Sequence, residues 1–149
     1  MKIQKEIPIS CVRVLDLGNF ICNKIHGHNF KVQVNIALDE WTDTVADFNV
    51  IKEVVNELNH KILLNKQNQV VKDDVFLLAG DKSIDVLIYK VQEKYYAFPR
   101  EDIVLLPFEP TYENLIVYLQ QKLSEKLSIC RQDINIKIIN EQESIQIYS

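Results

Sequence analysis

Cys22-Asn-Lys-Ile-His26-Gly-His28-Asn-Phe30-Lys-Val32-Gln-Val34-Asn-Ile36-Ala-Leu38 is the stretch that decides the fold. From His26 onward every even position is an imidazole or an apolar side chain, and the odd positions between are Gly, Asn, Lys, Gln, Asn and Ala. A period of two is the signature of a strand with one buried face, as in an antiparallel sheet. That strand sets His26 and His28 on the same face. Two aligned neutral imidazoles supply half of a first-row metal site, with zinc the default. Cys22, four residues before His26, adds a thiol that can ligate or attack. The alternative is a surface loop whose histidines do nothing, and the residues alone leave both open.

Working outward, odd positions from Ile3 to Leu15 carry Ile3, Ile7, Ile9, Cys11, Arg13 and Leu15, an alternation broken at Lys5. Gly18-Asn19 is a plausible turn between the two strands. A helix comes next, with Asp47 as N-cap and Ile51, Val54, Val55, Leu58 and Ile62 at helical spacing. After Pro110 a second helix is predicted, capped by Thr111, with Leu115, Ile116, Leu119 and Leu123 as its buried stripe. Ile134, Ile136 and Ile138 alternate, as do Ile145 and Ile147, giving two closing strands around a polar turn near Gln142. Residues 66–108 hold short β-rich runs, among them Val86-Leu-Ile-Tyr and Val104-Leu-Leu-Pro. The order predicts an α+β fold: an antiparallel four-stranded sheet, two helices on one face, and a β-rich insert between the helices.

At 149 residues the chain suits a single domain, 1–149, with a real core. A net charge of −4 offers no electrostatic reason to expect nucleic acid. Met1-Lys-Ile-Gln-Lys-Glu lacks an apolar signal core, and no stretch approaches a membrane span. Three cysteines without a paired framework suggest a reducing, cytoplasmic setting.

The run from Cys22 to Phe30 resembles the Cys-x-x-x-His-Gly-His-(Asn/Ser)-aromatic signature of the 6-pyruvoyltetrahydropterin synthase and 6-carboxytetrahydropterin synthase family. Val45-Ala-Asp47-Phe48 followed by Ile51-Lys52 is similar to the family's entry into its first helix. Leu58-Asn59-His60 with Leu64-Asn65 resembles its "LDH…LN" segment, and Pro110-Thr111-Tyr112-Glu113-Asn114 its "PT-x-EN" entry into the second. The resemblance covers most of the chain in order. It implies the tunnelling fold, in which subunits join sheets into rings, commonly trimers paired into hexamers. It also implies a lyase acting on 7,8-dihydroneopterin triphosphate, with the short Cys22-to-His26 spacing leaning toward the carboxy-forming branch that feeds queuosine synthesis.

By that resemblance His26 and His28 are metal ligands, Cys22 is the catalytic thiolate and His60 its partner. Thr111 and Glu113 line the pterin pocket, where Thr111 can also cap its helix and Glu113 complement the helix dipole. Asn140 stands at the pterin-anchoring position, with Glu141 directed to the opposite face unless a bulge intervenes. Three positions depart from the family. Arg13 replaces the third zinc histidine and cannot ligate a metal, leaving Cys11 as a candidate soft ligand or a small buried hydrophobe, or the guanidinium as a substitute charge. Asn59 replaces an aspartate, and Asn140 a glutamate. The expectations are therefore an enzyme with a weakened zinc site, self-assembly and a pterin triphosphate substrate. The alternative is a pterin- or purine-binding homologue that keeps the oligomer and has lost this chemistry.

Overall fold

The computed structural model describes residues 2–16, 25–37, 48–68 and 75–149. Cys22, the Gly18-Asn19 turn and the Asp47 cap lie outside the described residues. The elements are β1 (Lys2–Arg13), β2 (Gly27–Ala37), α1 (Phe48–Asn56), β3 (Ile62–Asn65), β4 (Val75–Ala79), β5 (Lys82–Val91), β6 (Lys94–Pro99), β7 (Ile103–Leu106), α2 (Tyr112–Leu127), β8 (Ile134–Asn140) and β9 (Ile145–Tyr148). They fall into two compact units, Met1–Ser10 with His28–Asn59 and Thr111–Ser149, and Cys11–Gly27 with His60–Pro110.

In the first unit the strands run in the order β1-β2-β8-β9. The alternation read from the sequence is the alternation observed: Ile3, Ile7 and Ile9 of β1 are buried, as are Val32, Val34 and Ile36 of β2. Antiparallel register sets Val32 opposite Ile138, Val34 opposite Ile136 and Ile36 opposite Ile134, so buried side chains pair across the ladder on one face. α2 lies against β8 and α1 against α2. Thr111 caps α2 as expected, its hydroxyl oxygen accepting the Asn114 N–H at 3.2 Å. Tyr112, Leu115, Ile116, Leu119, Leu123 and Leu127 form its buried stripe. Ser128, at φ 55, stops it in the left-handed conformation.

The second unit corrects the sheet. Val12 and Arg13, at the end of β1, pair in parallel with Ile62 and Leu63, and β3 pairs in parallel with β7. The ladder that passes through β1 therefore has six strands and is mixed, where alternation predicted four antiparallel ones. Two reasons explain the miss. Ile62-Leu63-Leu64 is a continuous apolar run, as parallel strands are, and shows no alternation to read. Ile62 also fell on the helical stripe of α1, yet that helix ends at Asn56 and His60 turns the chain at φ 59.

The β-rich insert is confirmed as a three-stranded antiparallel sheet, β4-β5-β6. Its hairpins are two-residue loops: Gly80-Asp81 between Ala79 and Lys82, and Gln92-Glu93 between Val91 and Lys94. Each loop opens on a positive φ, 66° at Gly80 and 54° at Gln92, as the strand-matching tight turns require. Leu87, Tyr89, Val91 and Phe98 bury against Val14 and Leu64. The Tyr89 hydroxyl accepts the Asn65 main-chain N–H at 3.1 Å.

Candidate functional site

The buried face of the first unit ends in polar groups, and these are tied to one another. His28 is the second residue of β2 and is 6% exposed. Asn140 is the last residue of β8 and is 2% exposed. The Asn140 amide donates to the Tyr112 hydroxyl at 2.8 Å, and its carbonyl oxygen accepts the Glu143 main-chain N–H at 3.2 Å. Both functional atoms of Asn140 are thus engaged within the protein. The Tyr112 ring meets Phe30 edge-on, centroids 5.3 Å apart at 70°. The turn between β8 and β9 carries Glu143 back so that its carboxylate lies 3.8 Å from His28 Nδ1.

Glu143 is the residue that sequence reasoning missed. Its signal was the three-residue spacing after Asn140 within a turn, where an Asn side chain can take a nearby main-chain N–H. Glu141 does face the other way, as strand parity required: its carboxylate pairs with Lys31 at 3.2 Å, and Lys31 also lies 3.6 Å from Glu6. The attraction of these carboxylates, led by the hydrogen bond from Lys31 to Glu141, raises the Lys31 pKa.

Thr111 sits at the N-cap of α2, and Glu113 is exposed in its first turn. Asn59 uses its side-chain oxygen to accept the Ser10 main-chain N–H at 2.9 Å, so it fastens β1 to the segment after α1. In the second unit His60 is exposed, as is His26.

Arg13, in the same unit, is 6% exposed. Its Nη1 donates to the Pro110 carbonyl at 3.1 Å, immediately before the Thr111 cap. Glu109 reinforces that junction, its carboxylate accepting the Asp16 N–H and the Asn65 amide, each at 3.1 Å. Burial pushes the Cys11 thiol up to about 12 against the opposing pull of Arg13. Cys11 is 5% exposed, as the buried-hydrophobe alternative requires.

Among the described residues no group of three His, Cys, Asp or Glu side chains could hold a metal ion. The described donors do not fit the three-ligand zinc site that the resemblance implies, because the third family position is an arginine, a hydrogen-bond donor that cannot ligate. No helix among the described residues is long and apolar enough to cross a membrane.

Known proteins resemble the chain in sequence and in fold. A relative from Methanocaldococcus jannaschii is 33% identical over 117 residues, covering 74% of this chain and 68% of its own length. The Haemophilus influenzae protein named 6-carboxy-5,6,7,8-tetrahydropterin synthase is 25% identical over 140 residues, covering 86% of each chain. In three dimensions the chain is similar to 6-pyruvoyl tetrahydropterin synthase from Plasmodium vivax, with a TM-score of 0.66 at 17% identity over 100% of this chain and 97% of the other. The family model described as 6-pyruvoyl tetrahydropterin synthase matches residues 2–148; the chain belongs to that family.

Proposed function

We propose that this protein is a pterin-forming lyase that acts on 7,8-dihydroneopterin triphosphate, eliminating triphosphate and rearranging the side chain. The family match over residues 2–148 carries the reading. Relatives named for the 6-carboxy product, among them those of Haemophilus influenzae and Bacillus subtilis, lean it toward that branch, which feeds queuosine synthesis. A reducing, cytoplasmic setting suits a chain whose proposed chemistry needs a free thiolate at Cys22.

In this reading Cys22 moves protons on the substrate side chain as a thiolate and His60 is its partner. With Asn59 holding Ser10 rather than supplying a carboxylate, an imidazolium at His60 lacks the charge that would stabilise it, and proton transfer is slowed. Thr111 and Glu113, at the start of α2, offer a hydroxyl and a carboxylate to the pterin ring. No step is routed through a metal, because the described donors do not fit one. Assembly into a ring, trimers paired into hexamers, belongs to the same proposal. It is supported by β9, which among the described residues has a hydrogen-bonded neighbour on one side only and whose other edge a second subunit can cover.

The second reading, a pterin- or purine-binding protein without this chemistry, is favoured by one observation. Arg13, Asn59 and Asn140, the three departures from the family, each hold the protein to itself, through Pro110, Ser10 and Tyr112 respectively. Turnover decides between the readings.

Cys22→Ala is expected to lower turnover of dihydroneopterin triphosphate by about 10²–10⁴-fold while leaving the circular dichroism unchanged. Unchanged turnover would reassign Cys22 to packing, and a wild type with no turnover would select the binding protein. For the metal, His26 and His28 supply two ligands, and the resemblance puts the Arg13 guanidinium at the third family position, where its charge would repel a divalent cation. Zinc should therefore be substoichiometric after dialysis, and Arg13→His should raise it toward one per chain. A full equivalent retained by the wild type contradicts the weak site and directs attention to Cys11 or Cys22. Light scattering at micromolar concentration should give an oligomer mass; a monomer would remove the ring.

A further inference from the structure

We propose that the Arg13 guanidinium supplies the fixed positive charge of this site and that turnover proceeds without a resident metal ion. The inference rests on the proposed lyase reading and concerns a residue to which that reading gives no part in the chemistry.

Three observations carry it. The first is the donor set. Among the described residues no group of three His, Cys, Asp or Glu side chains could hold a metal ion, and the position that the resemblance sets against the third ligand is an arginine, which has no lone pair to offer one. The second is burial. Arg13 is 6% exposed, and among the buried residues described it is the one Arg, Lys, Asp or Glu. Taking such a charge out of water is costly, and a neutral donor would make the same tie to Pro110 without that cost. The third is fixation. Nη1 donates to the Pro110 carbonyl at 3.1 Å, and Glu109 braces the same junction through the Asp16 N–H and the Asn65 amide. The guanidinium is thus a charge that pH does not remove, anchored one residue before Thr111.

A cation's part in the proposed reaction is electrostatic. When the Cys22 thiolate takes a proton from the carbon beside a side-chain carbonyl, the C–H electron pair moves onto the carbonyl oxygen as an enolate, and the proton is later returned to carbon. A positive charge facing that oxygen lowers the barrier. A guanidinium offers charge and N–H donors together, and both act more strongly inside a protein than in water. It forms no coordination bond, so Arg13 can take this part although it cannot be a ligand.

Turnover of dihydroneopterin triphosphate by the full-length protein, dialysed against EDTA and then measured with and without added zinc, tests the proposal. The wild type is expected to show the same rate in both, with metal analysis finding well under one zinc per chain in the active sample. Arg13→His should invert this, inactive after dialysis and revived by zinc. Arg13→Gln, whose amide can still donate to Pro110, should lower kcat by about 10²–10³-fold with KM little changed. Arg13→Lys, which keeps the charge and loses the planar fork, should keep part of the rate. If the dialysed wild type is inactive and zinc restores it, or if Arg13→Gln turns over like the wild type, the assignment is overturned while the lyase reading stands. If the wild type has no turnover with or without zinc, the lyase reading fails and this assignment falls with it. A melting temperature for each variant separates loss of fold from loss of charge, and the wild-type comparison needs no variant to fold.

Discussion

The Asn140–Tyr112 hydrogen bond is the constraint on which the rest of the candidate site depends. It joins the last residue of β8 to the first residue of α2, at 2.8 Å and away from solvent. Two uncharged partners satisfy each other where an unmatched polar atom would cost about 1–3 kcal/mol. Through the Tyr112 ring the tie extends to Phe30 on β2, two residues from His28. Through the Asn140 carbonyl oxygen it extends to the turn that carries Glu143. Strand, helix and turn are thus held by one amide side chain. An ionised carboxylate at 140 could accept hydrogen bonds but could donate none. Asparagine, which the resemblance sets against a glutamate, both donates to Tyr112 and accepts from the turn.

The same logic unites the other departures. Arg13, which the resemblance sets against a metal ligand of the family, donates to the Pro110 carbonyl, one residue before the α2 cap. Asn59, which the resemblance sets against an aspartate, holds the β1 main chain at Ser10.

Most of the first unit was legible in the sequence because its strands are long and its helix is amphipathic. β1, β2 and β8 announced themselves by period two, and Thr111 by its place before a helical stripe. β3 and β7 were not legible as sheet members, being four residues each and apolar throughout or nearly so. Nothing in Ile62-Leu63-Leu64 says which strand it will pair with, since parallel pairing is fixed by long-range contacts. The site was legible in its residue types and not in its connections. His28, Asn140 and Arg13 were all singled out, yet a one-dimensional reading could not show that Asn140 faces Tyr112 or that Arg13 reaches Pro110, partners 28 and 97 residues away. Glu143 escaped because a turn residue has no periodicity to betray its direction.

The central claim is that Asn140 serves as a structural tie to Tyr112, and a double-mutant cycle on unfolding free energy addresses it most directly. Asn140→Ala also removes the bond to the Glu143 N–H, but that loss occurs with or without the tyrosine hydroxyl and cancels in the cycle. The account predicts that Asn140→Ala and Tyr112→Phe are each destabilising and that their effects are non-additive, with a coupling of about 1 kcal/mol in denaturant titration. Strict additivity, or an Asn140→Ala variant as stable as the wild type, would contradict it.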